Sequence, residues 1–156
     1  MDEVMTGFGR TGVAFGSQLY DVEPDLMVAG KGLAGGYAAI AGVFGREDIA
    51  NAISESGFNV MFHTFGALPQ SCAAATAVLK ILREENLVQR AGVIGQKTLE
   101  RLQGTFGQHP NVAEIRGAGM LIGIEIVKDR DSLERFAENA RVTDRLTSAA
   151  MNAGVF

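Results

Sequence analysis

The stretch from Asp25 to Tyr37 constrains the fold most, because a short apolar run ends at a lysine and a glycine-rich loop follows at once. The run Leu26–Ala29 is long enough for a buried strand and too short for a helix. Four glycines between positions 30 and 36 permit a tight turn and a close approach of a ligand to the backbone. The sequence therefore predicts that Lys31 lies just past the carboxyl end of a strand, which is the ligand-binding edge of an open α/β sheet.

A lysine held at that edge can act as a nucleophile. Partial desolvation disfavours the charged ammonium, so the amine of Lys31 can lose its proton and attack a carbonyl group. The alternative is a solvated loop lysine, because lysines are mostly exposed. The choice between the two depends on the rest of the chain.

Composition limits the class of protein. The 156 residues suit one domain, or one and part of another, and the 47% hydrophobic content can form a core. The net charge of −4 argues against a nucleic-acid surface, and the single Cys72 fits a reducing compartment. The acidic start, Asp2 and Glu3, is unlike a signal peptide, and no apolar run approaches the roughly 18 residues of a membrane span. We predict a cytoplasmic protein with no nucleic-acid or membrane partner and no metal site.

Residues 7–12 spell G-x-G-x-x-G, the dinucleotide-binding fingerprint. That fingerprint needs a full strand before it and an acid about 20 residues later at the end of a second strand. Here almost no strand precedes the glycines, and Asp25 opens the next strand instead of closing it. We favour a glycine-rich loop of another kind, while an NAD(P)-dependent oxidoreductase remains the alternative.

The connections predict how the strands run. The segment between Asp2 and Asp25 has room for a crossover, so Asp2 and Lys31 can lie at the carboxyl ends of neighbouring parallel strands and face one pocket. The connection from Lys31 to the apolar run Ile40–Phe44 is too short for a crossover. That run is therefore predicted to be an antiparallel strand.

Helical periodicity accounts for much of the remaining chain. We predict helices over residues 13–20, 46–53, 70–85 and 87–103, and strands over 112–115 and 120–127. The helix over 70–85 is apolar nearly all round, which predicts burial. Ser132 is predicted to cap a last helix that runs to about Asn152. A domain boundary is predicted near residue 87.

Several motifs occur in a specific order: Asp2-Glu3-Val4, Gly7–Gly12, Pro24-Asp25, Gly30–Leu33 with Gly35-Gly36-Tyr37, His63-Thr64-Phe65 and Arg116-Gly117. Together they resemble the class III pyridoxal-phosphate-dependent aminotransferases over nearly the whole chain. The resemblance implies an α/β fold, the aspartate-aminotransferase-like fold type I, in partial form. Residues 1–87 would be the C-terminal half of the large cofactor-binding domain. Residues 88–156 would be a linking helix and the start of the small C-terminal α+β domain.

The resemblance also implies a function and roles for four residues. The protein would transfer an amino group from an amine or amino acid to a keto acid. Lys31 aligns with the lysine that forms a Schiff base with pyridoxal phosphate, and Asp2 with the carboxylate that pairs with the pyridine nitrogen. Val4 aligns with the residue that packs on the ring face. Thr64 aligns with a threonine that binds the cofactor phosphate across the interface of a homodimer.

The chain also departs from the family pattern. Met5 stands where many relatives carry a glutamine that contacts the phenolic oxygen of the cofactor, and Phe62 replaces a common glycine. The upstream phosphate loop, the ring-stacking aromatic residue and the downstream arginine for a substrate carboxylate have no counterpart here. We therefore expect a fragment of a longer protein, inactive by itself. A catalytically silent protein with the same fold is a further alternative.

Overall fold

The computed structural model describes residues 1–57 and 63–155, so Phe62 lies outside the described residues. The chain divides into two compact units, Met1–Thr98 with Gly117–Ile122, and Leu99–Arg116 with Gly123–Phe156. The division near residue 87 concerns the domains of the intact fold and stays a prediction. Among the described residues, no helix combines the length and the apolar character that a membrane span requires.

The first unit contains a two-stranded antiparallel sheet. Strand β1, Leu26–Ala29, pairs with strand β2, Gly42–Gly45. The connection holds a single 3-10 turn, Lys31–Leu33, which is too short to carry the chain across the sheet. The predicted antiparallel strand is confirmed.

The start of the chain adds a parallel contact to the other side of β1. Asp2 forms an isolated parallel bridge with Val28, the Glu3 N–H donates to the Val28 carbonyl at 2.8 Å, and the Val28 N–H donates to the Met1 carbonyl at 3.0 Å. The connection back to β1 contains a 3-10 helix, Gly16–Tyr20, inside the predicted helix over 13–20. The parallel arrangement expected for Asp2 and the strand before Lys31 is therefore present.

Three helices follow in the order that the periodicity predicts: α1, Glu47–Glu55, α2, Pro69–Glu84, and α3, Leu87–Phe106. Pro69 lies in the first turn of α2, where a missing N–H leaves no hydrogen bond unmade.

The predicted burial of α2 is wrong for this chain, because only Ser71 and Ala75 of the helix are buried. Ala75 packs in a small core with Leu33 and Ala34. Apolar residues on the other faces, such as Ile81 with 47% exposure, meet no further layer within the described chain.

Strands β3, Val112–Ala118, and β4, Leu121–Ile126, form a second two-stranded sheet, as the two predicted strands indicated. Gly119, at the turn between them, has a φ of +55° and so adopts the left-handed conformation that glycine accepts without strain. Among the described residues of the second unit, Val112, Ile115 and Val127 are buried and apolar.

The predicted cap at Ser132 is wrong. The last helix, α4, spans Val142–Asn152, so only its end matches the prediction. The N–H and the hydroxyl of Ser132 both donate to Asp129 Oδ1, at 2.8 and 2.6 Å. The Lys128 N–H donates to the Glu134 carbonyl at 2.7 Å. A carboxylate-stabilised turn therefore takes up the polar groups of Ser132 that a helix cap would have used.

Candidate active site

Lys31 begins the 3-10 turn that directly follows β1. Its φ of +40° lies in the left-handed region, which is uncommon for a residue with a side chain. The amine of Lys31 lies 2.6 Å from the sulfur of Met5 and forms no ion pair with any described residue. A thioether is a weak acceptor, so the amine is not held by a strong partner.

Asp2 lies beside Val28, and Val28 precedes Lys31 by three positions along the chain. The Val4 N–H donates to Asp2 Oδ1 at 2.9 Å, which orients the carboxylate. The second oxygen of that carboxylate has no hydrogen bond within the described parts of the chain and can accept one from a ligand. Asp2 and the strand that leads to Lys31 are thus neighbouring parallel segments of the first unit.

A cavity of about 190 Å³ adjoins this region. Val4, Met5 and Lys31 are among its lining residues, whereas Asp2 and Thr64 are not. Thr64 lies in an exposed turn before α2. The structure therefore brings Val4 and Lys31 to one cavity, while Asp2 lies outside it and accepts a hydrogen bond from the Val4 N–H. The roles of these residues and of Thr64 stay predictions.

Glu3 is the functional candidate that the sequence analysis missed. The residue is only 1% exposed, although it is charged. Its carboxylate accepts hydrogen bonds from the N–H groups of Gly16 and Ser17, at 2.8 and 2.7 Å, and from the Thr6 hydroxyl. Burial acts to raise the pKa of the Glu3 carboxyl, but these hydrogen bonds outweigh it and hold that pKa below its usual 4.5.

One signal in the sequence could have located Glu3. Side chains alternate along an extended segment, so a residue between Asp2 and Val4 faces the opposite side from both. The exposures agree, since Glu3 is buried while Asp2 is exposed and Val4 is partly buried. Its hydrogen-bond donors lie up to 14 residues away, and no local pattern predicts them.

The glycines of the G-x-G-x-x-G motif are explained by packing within the protein. Each lies so close to other protein atoms that an added Cβ would meet them within 3.0 Å: Gly7 meets the Glu3 carbonyl oxygen at 2.7 Å, Gly9 meets Val88 Cγ2 at 2.9 Å, and Gly12 meets Gly92 Cα at 2.7 Å. In a dinucleotide site, the close approach would be to the phosphates of the ligand. The structure thus gives the oxidoreductase alternative no support.

Two curated aminotransferases match almost the whole of this chain. A taurine–pyruvate aminotransferase from Bilophila wadsworthia is 40% identical over 161 residues, which cover 99% of this chain and 35% of that protein. The 4-aminobutyrate aminotransferase of Escherichia coli is 36% identical, covering 99% of this chain and 34% of that protein. The chain thus spans about a third of the length of these curated relatives.

Solved transaminase structures contain the same fold. An (S)-enantioselective omega-transaminase from Thermomicrobium roseum superimposes with a TM-score of 0.95 at 35% identity, and a Bacillus anthracis aminotransferase with 0.92 at 37% identity. Each match covers 99% of this chain and 35% of the other. The chain therefore has part of the transaminase fold. The family model for class-III aminotransferases matches residues 1–156, and the chain accordingly belongs to the class-III aminotransferase family.

Proposed function

We propose that the protein carrying this chain is a pyridoxal-phosphate-dependent transaminase, with Lys31 as the residue that holds the cofactor as a Schiff base. It would move an amino group from an amine or amino acid to a keto acid. The observation that carries the proposal is the parallel bridge between Asp2 and Val28, which places a carboxylate beside the strand that leads to Lys31. The family membership and the relative named as a taurine–pyruvate aminotransferase support it.

The residues present fit this cofactor. When bound, pyridoxal phosphate supplies an aldehyde and a ring that accepts electrons from the substrate carbon. The amine of Lys31 is in no ion pair among the described residues, and it lines an open cavity together with the apolar Val4. One oxygen of Asp2 is oriented by the Val4 N–H, which leaves the other for a ligand nitrogen. An amine for the aldehyde, a carboxylate for the ring nitrogen and an apolar surface for the face of the ring are therefore present.

Each residue then has a physical role. The Asp2 carboxylate holds a proton on the ring nitrogen, because a negative charge nearby favours the protonated form. The Lys31 amine would hold the cofactor through its aldehyde and, when free, would give a proton to the substrate carbon or take one from it as a general acid and base. Val4 packs on the face of the ring. The protein would form a homodimer, in which Thr64 of one copy binds the phosphate of the cofactor held by the other copy. It would act in the cytoplasm.

Mapping the site of covalent attachment tests the proposal. Pyridoxal phosphate is added to the protein that carries this chain, the visible spectrum is recorded, and the mixture is reduced with borohydride before peptide mass mapping. We expect a visible band and a stable adduct on Lys31. The Lys31→Ala variant should lack the adduct, and the matched Lys80→Ala variant should retain it. An adduct on Lys80 or Lys97 in the unmodified sequence would refute the assignment.

A further inference from the structure

The carboxylate of Glu3 is the most unusual group near the site, because it is charged and almost completely buried. Burying a carboxylate is costly unless hydrogen bonds compensate, and Glu3 receives three of them, from Thr6, Gly16 and Ser17. The donors include two backbone N–H groups at the start of the 3-10 helix Gly16–Tyr20. A buried carboxylate whose hydrogen bonds are all formed holds the backbone segment that carries it in one conformation.

The backbone of Glu3 links this buried anchor to Asp2. The Glu3 carbonyl accepts a hydrogen bond from the Gly7 N–H at 2.8 Å. The N–H of Val4 belongs to the same planar peptide unit, and it donates to Asp2 Oδ1 at 2.9 Å. A rotation of that peptide unit would therefore break the contact that orients the Asp2 carboxylate.

We infer that Glu3 is a positioning residue for the Asp2 carboxylate, and this inference rests on the proposed function of Asp2 as the partner of the ring nitrogen. The side chain of Glu3 anchors one face of the segment to residues 16 and 17, while its N–H holds the same segment to Val28. These contacts prevent the backbone of residues 2–4 from rotating, so Asp2 and Val4 stay directed at the cofactor. Glu3 itself touches neither the cofactor nor the substrate.

The Glu3→Gln variant tests this positioning role. Glutamine keeps the volume but loses the charge, and its NH₂ group faces N–H donors that need an acceptor. We expect the affinity for pyridoxal phosphate to fall about tenfold, as when an outer partner of a ligand-binding residue is removed. We also expect a change in the circular dichroism of the cofactor band, because the carboxylate beside the ring moves. The matched control is Val127→Ala, which opens a buried apolar site in the second unit, where Val127 is 2% exposed.

The outcomes separate the two proposals. An unmodified protein that binds no pyridoxal phosphate would refute the proposed function, and the inference would fall with it. An unmodified protein that binds the cofactor, with a Glu3→Gln variant of equal affinity and dichroism, would overturn the inference alone. Equal losses in Glu3→Gln and Val127→Ala would show that Glu3 only stabilises the fold, which also overturns it.

A milder variant covers the case in which Glu3→Gln does not fold. Thr6→Val removes one of the three donors and leaves the charge and both backbone N–H contacts in place. The same change in dichroism is expected with a loss of affinity of about threefold. A Thr6→Val protein that matches the unmodified protein in both measurements would count against the positioning role.

Discussion

Two glycine-rich loops of the first unit differ in what surrounds them. In the packed loop, residues 7–12, an added Cβ at each of the three glycines would meet protein atoms at 2.7 to 2.9 Å. In the open loop, residues 30–36, the nearest atoms would lie at 3.1 Å or farther, and at Gly36 none lies within 4 Å. The packed loop uses glycine because other parts of the chain touch its backbone, whereas the open loop has no contact as close and none within 4 Å at Gly36.

The comparison shows what a glycine motif can and cannot say. Glycine indicates that a backbone comes close to something or takes a positive φ, but it does not identify the neighbour. In the packed loop the neighbour of Gly9 and Gly12 is helix α3, through Val88 and Gly92, and the neighbour of Gly7 is the Glu3 carbonyl oxygen. The G-x-G-x-x-G motif of the packed loop therefore serves packing within the protein. The open loop, which contains Lys31, carries the chemistry that we propose.

The largest effect is expected at the open loop. Lys31→Ala should lower the rate of amino transfer by about 10³-fold or more, because alanine offers no amine to bond with the cofactor or to move a proton. Without cofactor, its free energy of unfolding should stay within about 0.5 kcal/mol of the unmodified protein, as for most exposed substitutions. Initial rates and thermal unfolding of the cofactor-free protein measure the two quantities. A large loss of stability would mean that the open loop is also a packing element.

The packed loop should respond in the opposite way. Gly12→Ala places a methyl group 2.7 Å from Gly92 Cα, at a φ of +86°. The backbone strain and the overpacking together should cost about 2–5 kcal/mol of unfolding free energy. Thermal unfolding of the cofactor-free protein gives the loss, and an unchanged melting temperature would contradict both the backbone strain and the overpacking expected at Gly12.

The sequence predicted the elements whose cause is local. The short connection after Lys31 excluded a crossover, and β2 is indeed antiparallel to β1. The room between Asp2 and Asp25 allowed a parallel contact, and Asp2 bridges Val28 in parallel. Pro69 and the apolar run after it located the start of α2. In each case the decisive information is the length of a connection or a residue type within one turn.

The failures concern contacts between distant or competing groups. Ser132 is a residue type that caps helices, but its N–H and hydroxyl donate to Asp129 instead. The apolar surface of α2 predicted burial, yet burial depends on a partner layer that periodicity cannot supply. Side-chain alternation places Glu3 on the side opposite to Asp2, but its partners Gly16 and Ser17 are distant in sequence and no local pattern predicts them. Motif analysis predicted the proposed catalytic pair, Asp2 and Lys31, but not the hydrogen bonds that hold Glu3 in place.

A smaller loss of stability than at Gly12 is expected at Gly36, which is the matched control for the packed loop. Its φ of +84° is nearly that of Gly12, so an alanine at either position has the same kind of backbone strain. No atom lies within 4 Å of an added Cβ at Gly36, so strain alone should cost about 1–2 kcal/mol of unfolding free energy. The difference between Gly12→Ala and Gly36→Ala, about 1–3 kcal/mol, then isolates the cost of pressing a methyl group onto α3. Both melting temperatures are measured on the cofactor-free protein in one experiment. Equal losses would show that backbone strain explains both loops, and the distinction between a packed and an open loop would not hold.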